Sequence, residues 1–225
     1  MSSRDDIYAK IRAGLGVTGR EPERRAAVAE RIAAKQRHPT PSRVAGKSAV
    51  EIAKLFRGYL EGQSATVLEV ASAAEVPATV ARYLRDNNLP ARVRVGADAY
   101  LAQLPWGNEP ALDVMAGRAE PTDEVGLAHA TAAVGETGTL IMASGPDNPV
   151  TINFLPETHI VVVEAGDIVG PYEDAWLKVR TRFGDGVMPR TINMISGPSR
   201  TGDIGGKLVM GAHGPRRMCV LIVKA

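Results

Sequence analysis

The sequence predicts an α/β fold with a central, mostly parallel sheet flanked by helices, and three observations support this prediction. Helical and strand patterns alternate through the first part of the body, which is typical of a parallel sheet covered by helices. Two later segments, HIVVVE at 159–164 and MCVLIV at 218–223, are apolar throughout, as strands covered on both faces are. Hydrophobic residues make up 44% of the chain and charged residues 23%, which excludes a mostly disordered protein.

Periodicity along the chain predicts each element in turn. Apolar residues at helical spacing after Ser48 predict a helix that ends at Gly62, and the same spacing predicts helices at 73–87, 97–104 and 172–183. Short apolar or alternating runs predict the strands. These strands lie at 65–70, 91–95, 112–115, 139–143, 159–164, 191–195 and 218–223.

Residues 1–47 are predicted to form a helical arm and linker, and residues 48–225 the α/β body. The arm holds 11 Lys and Arg against 5 Asp and Glu, whereas the body holds 16 against 20. A basic arm can contact nucleic acid or an acidic membrane, but its interspersed acids and the lack of an aromatic stacking platform favour a solvated helical arm. Two narrow apolar stripes indicate packing onto the body or another subunit. They consist of Ile7, Ile11 and Leu15, and of Val28 and Ile32.

Several classes of protein are excluded by simple counts. A single cysteine, Cys219, excludes an internal disulfide framework, a Cys-ligated iron–sulfur cluster and a Cys-rich zinc site within this chain. The histidines lack metal-ligand spacing and no HExxH motif occurs, so the sequence predicts no metal site. The first residues do not resemble a signal peptide, and no stretch approaches the ~20 apolar residues of a membrane span. We therefore expect a cytoplasmic protein that binds no nucleic acid.

Two loops around the strand at 139–143 contain candidate functional residues. Glu136 is a candidate base or nucleophile, and Thr137 and Gly138 are candidate ligand-binding residues beside it. The alternative is a tight turn with a solvated glutamate. After the strand, Asn148 is held extended by the following proline, so its amide can point at a ligand, although a plain surface turn is the simpler interpretation.

Two later loops favour an anion site. The segment 195–204 combines hydroxyls, glycines and a guanidinium, which together form a suitable nest for a phosphate or carboxylate. Its candidate ligand-binding residues are Ser196, Gly197, Ser199, Arg200, Thr201 and Asp203. Before the last strand, His213 is a candidate acid–base group and Arg216 a second anion ligand, against the alternative of a loop histidine bonded to backbone. His159 begins a strand and is interpreted as structural.

Parallel α/β sheets bind ligands in the crevice at the carboxyl ends of their strands. We therefore expect these loops to meet at that edge of the sheet.

Four segments of the chain together resemble the lactate utilization protein C family of LUD domain proteins. They are ETGTLIMASG at 136–145, LPETHIVVVEAGDIV at 155–169, ISGPSRTGDI at 195–204 and LVMGAHGPRRMCVLIV at 208–223. The resemblance implies a fold like that of the glucosamine-phosphate isomerase, ribose-phosphate isomerase and CoA-transferase group. It also implies an accessory role beside two iron–sulfur partner proteins that oxidise L-lactate to pyruvate, with the clusters held only by those partners and no cofactor in this chain.

Three functions remain open at this point. The first is an accessory subunit of the lactate-oxidising system that binds an anionic ligand through loops 136–148 and 196–216. The second is a self-sufficient acyl or CoA transferase, or a cyclo-ligase-like enzyme, that uses Glu136. The third is a scaffold or regulator that binds a partner through the basic arm.

Overall fold

A computed structural model describes residues 3–224, except for the side chains of residues 203 and 204. The chain divides into two compact units between Pro39 and Thr40. This division falls before the predicted limit at residue 47, because Val44 is 3% exposed and belongs to the core of the second unit. We refer to the second unit as the body.

The first unit contains two helices, α1 (Ser3–Leu15) and α2 (Pro22–Ala34). Pro22 begins α2, where its fixed φ and missing N–H cost nothing, and Lys35 follows it in the left-handed conformation. Neither helix has a buried residue, and the apolar stripes are exposed on both. The predicted helices are therefore present, with apolar faces open to solvent.

The body has five α-helices and twelve strands within the described residues. The helices are α3 (Ala49–Gly62), α4 (Val76–Asp86), α5 (Ala99–Gln103), α6 (Val150–Phe154) and α7 (Tyr172–Phe183). The strands are β1 (Thr66–Val70), β2 (Arg92–Val95), β3 (Asp113–Ala116), β4 (Val125–His129), β5 (Ala132–Val134), β6 (Thr139–Ala143), β7 (Thr158–Glu164), β8 (Ile168–Val169), β9 (Ile192–Ile195), β10 (Arg200–Ile204), β11 (Lys207–Met210) and β12 (Arg217–Val223). Short 3₁₀ turns lie at Ala73–Glu75, Trp106–Asn108 and Ala165–Asp167.

Six of these strands form the central sheet in the order β1-β12-β7-β4-β2-β3, and every pair is parallel. The prediction of an α/β fold with a parallel central sheet is therefore confirmed. Both faces are covered, as the continuous apolar runs indicated. Val161 and Val220 point into one core with α3, whereas Ile160 and Leu221 point into the other with α4 and α5.

A second, four-stranded sheet in the order β8-β5-β6-β9 packs on the α3 side of the central sheet. The predicted strands at 139–143 and 191–195 belong here as antiparallel neighbours, not in the parallel sheet. Helix α7 covers the outer face of this sheet through Ala175 and Val179. The layers of the body therefore follow one another in this order: α4 and α5, the parallel sheet, α3 with the four-stranded sheet, and α7.

The segment predicted as a loop at 195–204 is only partly a loop. Residues Arg200–Ile204 form β10, which pairs with β11 in an antiparallel hairpin. Gly205 and Gly206 join the two strands with φ of 60° and 70°. Two consecutive positive φ values are what a tight two-residue hairpin turn of type I′ requires, and glycine adopts them without strain.

Candidate functional site

The candidate site is a cavity of about 270 Å³ at the amino ends of β7 and β12. His159 and Met218, the second residues of these two strands, are paired in the sheet and line the cavity. The remaining lining residues come from α6, from the end of β9 and the loop after it, from the first residue of β10, and from the loop before β12. They include Asn153, Phe154, Ile195, Ser196, Gly197, Ser199, Arg200, His213 and Gly214. We call this the amino-end cavity.

Its position corrects one expectation from the sequence. The loops were expected at the carboxyl ends of the parallel strands, but the cavity that they form lies at the opposite edge. The reason is chain direction: the 211–216 loop enters β12, and the 196–199 loop leaves β9, which belongs to the other sheet. The rule for parallel sheets therefore does not apply to these loops.

The 196–200 loop is fixed to the carboxyl end of α3. The Nη2 atom of Arg200 donates to the backbone oxygen of Gln63 at 3.2 Å and also to its side-chain oxygen. Gly197 has φ of 138°, and a Cβ there would lie 2.8 Å from Cβ of Gln63. Both Arg200 contacts use one nitrogen, so among the described residues its Nε and Nη1 donors stay available to a ligand.

Ser199 joins this loop to the loop that carries His213. Its N–H donates to the oxygen of Pro215 at 2.8 Å, and its carbonyl accepts from Gly211 N at 2.7 Å. Its hydroxyl accepts from the backbone N–H of His213 at 3.2 Å. The two loops that flank the β10–β11 hairpin are therefore held together by a serine, which places the exposed His213 at the cavity wall.

A cluster of hydroxyl groups links the turn at 137–139 to the same loop. Thr139 Oγ1 lies 2.7 Å from Ser196 Oγ and 2.7 Å from Thr137 Oγ1. The hydroxyl of Tyr172, at the start of α7, lies 2.9 Å from Thr137 Oγ1 and 3.0 Å from Thr139 Oγ1. Thr137 is thus linked to Ser196 through Thr139, and does not itself line the cavity.

Two buried polar side chains line the cavity without hydrogen-bond partners among the described residues. Both the amide nitrogen and oxygen of Asn153 are unpaired, as is Nε2 of His159. Burial lowers the pKa of His159 to about 4, because the imidazolium form would be desolvated. Buried polar groups are normally paired, so this wall favours a polar ligand or ordered water.

Besides Thr137, five of the predicted site residues lie outside the cavity. Glu136 is half-buried in the β5–β6 turn, where its N–H donates to Gly170 O at 3.1 Å. Gly138 has φ of 66°, and a Cβ there would lie 2.5 Å from Cβ of Tyr59, so this glycine permits close packing on α3. Arg216 forms an exposed ion pair with Glu157.

Asn148 and Thr201 complete that set. Asn148 is buried and donates to Ala143 O at 3.1 Å, within its own turn. That turn contacts the carboxyl end of β2, because Ala97 N donates to Pro146 O at 3.0 Å. Thr201 lies in β10 opposite Val209. The side chain of Asp203 lies outside the described residues.

Sequence reasoning missed Gln63 and Asn153, and it interpreted His159 as structural only. Gln63 follows a helix and Asn153 lies in a five-residue helix, and neither carries a local motif. A polar residue in an apolar run was the one available signal, and His159 at the head of IVVV provided it.

The geometry suits binding of a small anion. One arginine and two serines line a cavity near the lower end of the size range of small-molecule sites. A guanidinium matches a carboxylate with two parallel hydrogen bonds.

Comparison with known proteins covers the same part of the chain. Residues 118–223 match the family model of the LUD domain. Lactate utilization protein C of Geobacillus thermodenitrificans is 35% identical over 100 residues, which cover 44% of this chain and 42% of that protein. The namesake from Halalkalibacterium halodurans is 32% identical over 108 residues, covering 48% and 46%. The matched segment is less than half the length of these relatives.

A solved structure resembles a larger share of the chain. The crystal structure of a DUF162 family protein from Deinococcus radiodurans is 28% identical, with a TM-score of 0.60, and covers 79% of this chain and 99% of that one. Its similarity extends beyond the matched domain and supports the α/β fold. Separately, among the described residues, no helix is long and apolar enough to cross a membrane.

Proposed function

We propose that the protein acts in lactate utilization. Residues 118–223 match the LUD domain, as the sequence motifs indicated. In this proposal it is the accessory subunit of an iron–sulfur-dependent system that oxidises L-lactate to pyruvate. It holds an anionic ligand in the amino-end cavity. The support is the naming of several relatives as lactate utilization protein C, together with the residues that line the cavity.

The observation that carries the binding proposal is the setting of Arg200. Arg200 lines the cavity beside Ser196 and Ser199, and its guanidinium is anchored to Gln63 through one nitrogen. An anchored guanidinium loses little conformational entropy when a carboxylate arrives, and both lactate and pyruvate carry a carboxylate. We assign the carboxylate to Arg200 and the serine hydroxyls, and proton exchange to His213.

Oxidation of lactate to pyruvate releases two electrons and two protons, so an electron acceptor is required. The single cysteine of this chain, Cys219, is buried in β12, and burial raises its pKa to about 12. In the proposal the electrons pass to iron–sulfur clusters of partner proteins, while this chain contributes the anion site.

Ligand-induced stabilisation tests the binding step. At ~100 times the dissociation constant, L-lactate or pyruvate should stabilise the protein by about 2.7 kcal/mol in thermal unfolding. The Arg200→Gln variant should lose this stabilisation. Arg216→Gln is the matched control, because Arg216 pairs with Glu157 outside the cavity. Full stabilisation of Arg200→Gln, or equal loss in both variants, would contradict the assignment; stabilisation by inorganic phosphate alone would replace the carboxylate with another anion.

Reconstitution tests the place in the system. The chain alone should not reduce a dye with L-lactate, whereas addition of the proposed iron–sulfur partner proteins should produce lactate-dependent reduction. Reduction by the isolated chain without partner or added cofactor would refute the accessory role.

A further inference from the structure

A second polar cluster lies at the carboxyl ends of the parallel strands, opposite the amino-end cavity. Asp98 follows β2, His129 ends β4 and Glu164 ends β7, and these three strands are neighbours in the sheet. The chain leaves β2 towards β3 on one side and proceeds from β4 to β7 on the other. Asp98 and His129 therefore face each other across a topological switch point, where α/β sheets form their binding crevices.

His129 is held in one orientation by its neighbours. Its Nδ1 lies 3.3 Å from Oδ1 of Asp98, and Asp98 is itself fixed because it accepts from Leu101 N at 3.0 Å as the N-cap of α5. The ring of Tyr100 stacks on the imidazole with a centroid distance of 4.4 Å. A histidine whose Nδ1–H donates to a carboxylate can offer its Nε2 to a metal ion.

The Nε2 atom of His129 has no hydrogen-bond partner among the described residues. This atom is buried, and the side chain of His129 is only 11% exposed. Two carboxylates stand close by. A ring nitrogen of His129 and one oxygen each from Glu164 and Asp167 lie within 4.8 Å of one another.

We propose that His129, Glu164 and Asp167 bind a divalent transition-metal ion, with Asp98 orienting the histidine from behind. A carboxylate that fixes a ligating histidine through its other nitrogen is the usual outer partner of such ligands. One imidazole nitrogen with two carboxylate oxygens suits Zn²⁺, and three protein ligands leave a position for water or substrate. This proposal does not depend on the proposed role in lactate use.

The charges around the cluster sharpen the proposal. Nζ of Lys178 lies 2.7 Å from Oδ1 of Asp167, so this ammonium competes with a metal ion for that carboxylate. Arg182 is engaged elsewhere, with Asp147 and the hydroxyl of Thr131. The Lys178→Met variant should therefore bind a metal ion more tightly than the native protein, whereas loss of a cation would weaken an anion site.

The cluster also explains why the sequence predicted no metal site. Its members are contributed by separate segments, at the end of β4, at the end of β7 and in the turn that follows β7, so they show no ligand spacing typical of a metal motif. The proximity arises only when β4 and β7 pair in the sheet.

The site is tested by titrating Zn²⁺ into the full chain and measuring the heat of binding by calorimetry. We expect one equivalent to bind, with at least tenfold weaker binding in His129→Ala and in Glu164→Gln. Asp98→Asn should weaken binding by about 10- to 100-fold. His38→Ala is the control, since His38 is an exposed histidine remote in sequence and should leave binding unchanged. Lys178→Met should tighten binding several-fold.

A spectroscopic measurement on the native chain keeps the test independent of variant folding. Zn²⁺ should shift the Nε2 resonance of the His129 imidazole and leave that of His213 unchanged. The proposal is overturned if Zn²⁺ does not bind, if His129→Ala binds as the native chain does, if His38→Ala loses the ion, or if Lys178→Met weakens binding.

Discussion

The two edges of the central sheet achieve polarity in different ways. At the amino edge, the cavity is built from loops that depend on one another and on α3, through Arg200 with Gln63 and Ser199 with the His213 loop. At the carboxyl edge, the side chains stand directly on strand ends, and His129 is fixed by Asp98 and Tyr100. The first site therefore depends on tertiary tethers, whereas the second depends mainly on strand pairing. Changes that loosen α3 should affect only the first.

The largest expected effect is the loss of stability at low pH that the burial of His159 causes. Its pKa is about 4 in the folded protein against 6.5 when unfolded, so the unfolded chain binds the proton first as the pH falls. The contribution of His159 to the free energy of unfolding is fully present above pH 6.5. It decreases by about 3 kcal/mol as the pH falls towards 4. Urea unfolding at pH 7 and pH 5 should show about 2 kcal/mol of this loss.

The His159→Gln variant should flatten this pH dependence, because glutamine does not titrate. His213→Gln is the matched control, since His213 is exposed and should leave the slope unchanged. If the unfolding free energy of His159→Gln depended on pH as it does in the native chain, acid would destabilise the protein at another group, and the buried imidazole would not be responsible.

The next effect comes from the backbone of the cavity loop. Gly197→Ala places a Cβ 2.8 Å from Gln63 at a φ that non-glycine residues rarely adopt, so we expect a loss of about 1–3 kcal/mol. The substitution should also abolish anion-induced stabilisation while Zn²⁺ binding persists. In Gly202→Ala, where a Cβ meets nothing within 4 Å, both should remain. Equal loss of both ligands in Gly197→Ala would mean that the two edges are coupled.

The smallest effect comes from removing a tether. Gln63→Ala deletes the side-chain acceptor of Arg200 and leaves its backbone acceptor in place. Loss of a charge-assisted hydrogen bond at an exposed position should weaken anion binding several-fold, equivalent to about 1 kcal/mol. Calorimetry with pyruvate measures the change. Unaltered affinity would show that Gln63 does not position the guanidinium.

The fold was largely predictable because the sequences of its core strands reflect how deeply these strands are buried. HIVVVE and MCVLIV are buried on both faces, and their continuous apolar pattern indicated this. Strand β4 was missed because VGLAH holds a glycine and small residues that favour no strand. Gly126 is needed there for space, since a Cβ would lie 2.5 Å from Ile152 O. Such a requirement comes from tertiary contact and leaves no local pattern.

The site was less predictable, because residue type reveals chemistry but not position. The composition of ISGPSRTGDI predicted Ser196, Ser199 and Arg200 as one group of ligand-binding residues, and in the structure all three line the same cavity as His213. It gave no information on which edge of the sheet the loop occupies. Asn153 and the Asp98–His129 pair depend on contacts between distant segments, so no local reading of the sequence could assemble them.

The position of β12 between β1 and β7 has a consequence for biosynthesis. During translation β1 emerges about 150 residues before β12, the strand that it pairs with among the described residues. Until residues 217–223 leave the ribosome, β1 and β7 each present an unpaired hydrogen-bonding edge, and such edges promote aggregation. The central sheet is therefore completed only after residues 217–223 have been made, and chaperones that shield strand edges of the nascent chain should raise the yield of folded protein.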